Sequence, residues 1–417
     1  MSTLADTIAA VFTARPDILD DPYPHCRRLL GAGAIHWLPA DAGPGPWSDA
    51  WHILGYDEVR AALEDPRLGA HTLPPPAPGA GAMNDLARIF GSTLLYLEPP
   101  DHTRLRRLTA QTFTKRNGAA LDSFVQSQVE QLIDRIVLTA GTFDLVSTLA
   151  APLPNLVVAE LLGLPTGRRA EFAQRTGGLM ALRPTPEAMT DIVQSVALIR
   201  DLLPLRRSTP DDDLLSDLLR HQARDPSITD DEVVAQALTV VIAGTETLTA
   251  AITTAVRTVL TEPAMWQALG PDTIDSTVDE LLRYDGPTHL LPRQAHAPLT
   301  LGTNTIRPGQ RVWLWLAATN RDPSRFHDPD DLDCARTGPR PLTFGRGIHT
   351  CIGSKLARSE IAAVLLALRA RFPDLRLARE RTTWAPNPAV RSPARLDLTT
   401  EPVQRRRNAT PGSCHTG

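Results

Sequence analysis

Apolar and polar positions in this chain fall into blocks whose periods separate helix from strand. Ile228-Thr229-Asp230-Asp231-Glu232-Val233 opens the longest block. Thr229 followed three residues later by Glu232 is a capping box, and Ile228 with Val233 makes a hydrophobic staple across it. A largely apolar run then continues past Thr261, which predicts a long central helix buried on most sides. Ile274, Val278, Leu281 and Leu282 recur at helical spacing and give a second helix one apolar face. Residues 354–368 form another helical segment. Val312, Leu314 and Leu316 alternate around Trp313 and Trp315, the period of a short strand. The pattern predicts a mainly α protein with a small β region.

Punctuation and composition narrow this picture. The cluster of prolines and glycines at 73–82 cannot be regular helix or central strand and reads as a long surface loop. The segment 402–417 is polar, with Arg405-Arg406-Arg407 followed by small residues, and reads as a disordered tail. With 417 residues and 42% hydrophobic content the chain can bury a large core, and length alone suggests more than one domain. A net charge of -4 argues against nucleic-acid binding. The four cysteines, Cys26, Cys334, Cys351 and Cys414, form no C-x-x-C pair, so neither a zinc site nor a disulfide framework is supported, and a reducing, cytoplasmic setting fits. Asp6 interrupts the N-terminal segment, which lacks the pattern of a signal peptide. No stretch approaches about 18 uninterrupted apolar residues, so no membrane span is expected.

The strongest chemical signal is Phe344-Gly345-Arg346-Gly347-Ile348-His349-Thr350-Cys351-Ile352-Gly353. It sets one cysteine in a glycine-punctuated loop directly before a helix, where the dipole and backbone amides favour the thiolate. Gly345, Gly347 and Gly353 allow sharp turns and close approach to something flat or bulky. A second signal lies inside the long apolar helix, at Ala243-Gly244-Thr245-Glu246-Thr247. Burying a carboxylate beside a hydroxyl is costly unless both have work to do. Gly244 removes a side chain where a planar ligand could approach. Glu280 and Arg283 stand three apart on one helical face and can pair, which alone is worth only ~0.2–0.5 kcal/mol. His102 and Arg106 sit i, i+4 and project to one side of another helix.

The cysteine run matches the Phe-Gly-x-Gly-x-His-x-Cys-x-Gly signature, and on it the chain resembles the cytochrome P-450 superfamily. The resemblance extends through Asp21-Pro22-Tyr23-Pro24, Asp65-Pro66-Arg67, Ala159-Glu160-Leu161-Leu162-Gly163-Leu164-Pro165 and Asp322-Pro323. It implies one haem-thiolate domain over 1–401, in the mainly α cytochrome P-450 fold with a small β region. It also implies haem b with Cys351 as axial thiolate, a ligand that favours O–O cleavage. Gly244, Phe344 and Gly353 inherit cofactor contacts, and His102, Arg106, Arg293 and His349 fall on positions that hold the haem propionates. Glu246 and Thr247 inherit the acid and alcohol that deliver protons to dioxygen. Glu280, Arg283 and Arg336 correspond to a structural triad that supports the haem loop.

The resemblance builds the substrate cavity from residues 69–97, 168–203, 239–243, 288–291 and 387–391, with Thr239, Ala243, His289, Leu290 and Leu291 as tentative contacts. A mostly apolar, mobile wall suits a medium or large lipophilic molecule. Arg104, Arg107, Lys115, Arg116, Arg346, Lys355 and Arg358 gather on the cysteine side, a basic patch suited to an acidic electron donor. The implied partners are a ferredoxin and its reductase, with no flavin or iron–sulfur module in the chain itself. The implied activity is a dioxygen-using monooxygenase, hydroxylating or epoxidising in secondary-metabolite biosynthesis. Two alternatives stand beside it: a peroxide-using or rearranging haem-thiolate enzyme, and a non-catalytic haem or ligand-binding sensor. The intact Glu246–Thr247 pair disfavours both.

Overall fold

The structure is a computed structural model and describes residues 3–70, 82–116, 118–137, 141–173, 186–378 and 382–400. The predicted loop at 73–82, apart from Ala82, and the predicted tail at 402–417 lie outside the described residues.

The long apolar block folds as the helix Asp230–Thr261. Its N-terminus carries the expected box, in which Glu232 N donates to Thr229 Oγ1 and Thr229 N donates to a Glu232 carboxylate oxygen. Length and apolarity would let this helix cross a membrane, yet it is mostly buried within the protein. Around it pack Pro152–Leu162, Pro186–Ser208, Leu214–Arg224, Ile274–Tyr284 and Ser354–Arg371. Their apolar faces merge into the largest core cluster.

Two smaller cores flank a five-stranded mixed sheet ordered 35–38, 50–53, 311–315, 290–295, 68–69. Strand Arg311–Trp315 lies parallel to Ala50–Ile53 and antiparallel to Leu290–Ala295, with Arg293 opposite Val312 and Gln294 opposite Arg311. The strand was expected to reach Leu316, which instead opens a short helix, Leu316–Thr319. Alternation also misdescribes its environment, since Val312 through Trp315 are all buried. Val312 and Leu314 enter one small core while Trp313 and Trp315 enter the other, so both faces are covered.

His52 lies at the centre of the aromatic core beside Trp315 and Phe12. Trp315 Nε1 donates to His52 Nδ1 at 3.1 Å, so Nε2 carries the proton and donates to Trp47 O at 2.8 Å. Burial lowers its pKa to about 4. The folded value lies below the ordinary 6.5, so the unfolded chain takes up the proton first as pH falls. Stability is therefore expected to fall from about pH 6.5 toward about 4, by on the order of 2–3 kcal/mol from this group alone. Urea unfolding at a series of pH values checks this, and His52→Asn should flatten the profile even while lowering stability at neutral pH.

Candidate active site

Three elements converge on an internal cavity of about 840 Å³. Helix Asp230–Thr261 supplies Thr239, Ala243, Gly244 and Thr247; the cysteine loop supplies Phe344, His349, Cys351 and Gly353; strand Leu290–Ala295 supplies Leu290, Leu291 and Arg293. Leu86, Phe90, Met189 and Ile192 close it with apolar surface from Ala82–Gly91 and Pro186–Ser208.

The cysteine loop is fixed by its own backbone. Cys351 N donates to Phe344 O at 2.9 Å, and Gly345 N donates to Leu342 O at 2.8 Å. Gly345 and Gly347 have φ of +68° and +71°, the left-handed region that favours glycine. A Cβ on Gly347 would stand 2.4 Å from the carbonyl oxygen of Leu63, so this glycine admits a neighbouring backbone. Gly353 has φ of -83° and needs no such freedom; it precedes Ser354–Arg371. Cys351 is exposed only in the sense that it opens on the cavity. Burial pushes its thiol up, and the Gly353 amide, Arg106 and Arg358 offset this only in part. A coordinated metal drives the proton off such a thiol outright.

Gly244 has a second neighbour besides the cavity. Its missing Cβ faces Val158 of Pro152–Leu162, at 3.2 Å, so the glycine serves helix packing while its backbone lines the cavity. Thr247 Oγ1 donates to Ala243 O at 2.5 Å. Glu246 is half-buried one residue farther round the helix and does not line the cavity. Thr239 donates to Ala235 O and accepts from Leu94 N, so its hydroxyl braces the wall.

His289 is the clear misplacement. Its ring turns away from the cavity, 5.9 Å from the Tyr23 ring and 4.0 Å from Asp285 Oδ1. Burial first and Arg391 second lower its pKa to about 3. Arg391 Nε donates to Asp285 Oδ1 at 2.9 Å, and Tyr23 Oη donates to the same oxygen at 2.6 Å. The cluster ties the N-terminal segment to the strand that lines the cavity.

On the far side of the loop, His102, Arg106, Arg293 and His349 gather. The His102 and His349 rings stand 4.4 Å apart. Both ring nitrogens of His102 are buried without a hydrogen-bond partner. Burial, then His349 and Arg106, lower its pKa to about 4. Arg293 donates to the adjacent Pro292 O at 2.8 Å and pairs with no acid among the described residues. Arg106 donates to Thr350 O. His102, with both ring nitrogens unmet, and Arg293, with no acid beside it, suit the two propionates that a haem would bring.

Glu280 and Arg283 are not a surface pair. Both are buried, joined by two bonds of 2.7 Å, and Arg336 Nε donates to the same carboxylate at 3.1 Å. Arg283 also donates to the carbonyls of Asn320, Pro329 and Asp331. Asn320 in turn accepts from Leu342 N and donates to Thr343 Oγ1, which carries the network to the start of the cysteine loop.

Two acids escaped sequence reasoning. Glu98 accepts from Ala70 N at 2.5 Å and lies 3.3 Å from His349 Nε2. Burial would raise it, yet His349 and the Ala70 amide hold it below the ordinary carboxylate range. Glu360 lines the cavity, is buried with one oxygen unpartnered, and is pushed well up by burial. Its signal was present: it stands four residues from both Leu356 and Val364, on the buried face of the helix.

The basic patch is less free than its sequence suggested. Arg104 pairs with Glu232 and Asp101. Arg358 pairs with Asp279 at 2.6 Å and stacks on Phe344 at 4.5 Å. Arg107 and Lys355 are exposed, Arg346 is half-buried, and the side chains of Lys115 and Arg116 lie outside the described residues.

Comparison with known proteins agrees with this geometry. Residues 273–386 match the family described as Cytochrome P450. The chain is 34% identical to cytochrome P450 monooxygenase PikC of Streptomyces venezuelae, over 91% of this chain and 93% of that protein. It is 33% identical to the mycinamicin IV hydroxylase/epoxidase of Micromonospora griseorubida, over 84% of this chain and 89% of the relative. Among solved structures, P450BioI in complex with a hexadec-9Z-enoic acid-ligated acyl carrier protein superposes with a TM-score of 0.83 at 31% identity, over 92% of this chain and 100% of that one. A cysteine loop opening on a cavity walled by an apolar helix, in a chain one third identical to PikC over nine-tenths of its length, belongs to the cytochrome P450 family of haem b monooxygenases, with Cys351 as the axial thiolate.

Proposed function

We propose that this enzyme hydroxylates or epoxidises a medium or large lipophilic small molecule in secondary metabolism, in the cytoplasm, with electrons from a ferredoxin and its reductase. The observation that carries this reading is that Thr247 and Cys351 line the same apolar cavity. Haem, when bound, supplies reduction and cleavage of dioxygen, aided by electron donation from the thiolate. Arg106, Arg293, His349 and His102 would hold its propionates, which would also meet the unpartnered ring nitrogens of His102. The cavity must contain both cofactor and substrate, so the space left to the substrate is only part of about 840 Å³.

Thr247 is placed to release its bond to Ala243 O and hold a proton at Oγ1 in the cavity. Glu246, just off the wall, would resupply that hydroxyl from outside. The names of the relatives, a hydroxylase/epoxidase among them, support the reaction class. Arg107 and Lys355 are exposed on this side, which supports docking of an acidic donor.

The test is turnover reconstituted with a ferredoxin and its reductase, in parent protein and Thr247→Ala. The variant should lose about a hundredfold or more of its oxygen-dependent product, the lower end of what a general acid contributes. Its NADH consumption should continue and appear as peroxide. Tight coupling retained in the variant would defeat the relay. Product formed at full rate from peroxide alone would favour the peroxide-using alternative.

A further inference from the structure

Among the described residues, the charged side chains of the cavity wall are Arg106, Arg293, Arg311 and Glu360. Glu360 contributes no negative charge of consequence, because burial without a full set of partners keeps its carboxyl protonated. The wall therefore holds three arginines. The function proposed above assigns two of them, Arg106 and Arg293, to the two propionates, and this inference rests on that reading.

Arg311 cannot join them. Arg293 stands directly opposite Val312 across the strand pair, so the two side chains leave the sheet on the same face. Arg311 is the next residue along and leaves on the other face, with Trp313. There one guanidinium nitrogen donates to Pro46 O at 3.0 Å, and Trp313 Nε1 donates to the same carbonyl at 2.8 Å. A guanidinium has five N–H donors, and the rest of this one meets no acid among the described residues. A cation on the wall of an otherwise apolar cavity attracts an anion more strongly than it would in open water.

We infer that the substrate carries a carboxylate, and that Arg311 pairs with it while the apolar body lies toward Thr247. This adds a charge requirement to a cavity otherwise selective only for lipophilicity. Planar, two-pronged hydrogen bonding makes arginine well matched to that group.

Azole probes test this without knowledge of the natural substrate, since an imidazole nitrogen ligates ferric haem and anchors any chain attached to it. The haem-loaded protein is titrated with imidazolyl alkanoic acids and with 1-alkylimidazoles of matched chain length, and binding is read from the Soret shift. At the best-fitting length the acid should bind about tenfold more tightly than its neutral counterpart. That preference should shrink with added salt, vanish in Arg311→Gln and return in part in Arg311→Lys, while neutral probes bind all three proteins alike. Equal binding of acid and neutral probes at every length overturns the inference. So does equal weakening of both by Arg311→Gln, which would leave the arginine only the task of holding the Pro46 turn. Failure of the neutral azoles to shift the parent protein would overturn the haem reading itself, and this inference with it.

Discussion

Serine in place of Cys351 is expected to abolish the strongly red-shifted carbon monoxide band of the reduced protein, together with all oxygen-dependent turnover. The change is small in volume, and the Cys351 N to Phe344 O bond does not depend on the side chain, so the loop should keep its course. What is lost is the soft, electron-rich sulfur that a thiolate supplies and a hydroxyl does not. The spectrum of the dithionite-reduced, carbon monoxide-treated variant should show a shorter-wavelength band or none. Persistence of the red-shifted band would place the ligand elsewhere. Among the described residues the other thiols are poor candidates: burial pushes Cys26 up to about 12, and Cys334 is half-buried beside Glu280 and Asp333. Neither lines the cavity.

The second large effect concerns stability. Glu280→Ala is expected to cost about 3–5 kcal/mol, because it strands the buried charge of Arg283 and leaves Arg336 with carbonyl partners alone. Urea denaturation of the haem-loaded protein measures it, with early haem release as a second readout. Replacing both charges, as Glu280→Ala with Arg283→Met, removes the stranded cation. The double variant should still fall short of the parent, since the carbonyls of Asn320 and Pro329 then lose the Arg283 donor. Equal stability of the single variant and the parent would mean that solvent reaches the network.

Much of this was legible in the sequence, for identifiable reasons. A capping box and a helical apolar period are local, so Asp230–Thr261 and Ile274–Tyr284 could be read directly. The cysteine loop is a contiguous string, and its chemistry is carried by residue types within ten positions. Arg336 could be paired with Glu280 and Arg283 only through resemblance, since no local rule spans that separation.

What stayed hidden depended on which way a side chain turns. His289 sits between cavity residues Thr288 and Leu290, just before the strand begins, and turns instead into a cluster with Tyr23, Asp285 and Arg391. Gly244 was read for a ligand, and the close packing on Val158 that its missing Cβ also permits was not visible. Arg104 and Arg358 counted as free charge until the fold brought Glu232 and Asp279 against them. The Cys351 thiol shows the same limit. Its helix terminus is local, but the desolvation that opposes ionisation comes from the whole fold.

The contact between Gly347 and the Leu63 carbonyl bears on when the site can form during synthesis. One partner is made early and the other near the end of the chain, so the cradle around the sulfur is among the last contacts the polypeptide can close. A nascent chain paused before Gly347 carries the long helix and three of the propionate-holding residues but not the cysteine that binds iron, its apolar walls open to misassociation. Firm haem capture therefore waits for the cysteine loop to be made. Expression limited by cofactor supply should accumulate a nearly folded apoprotein.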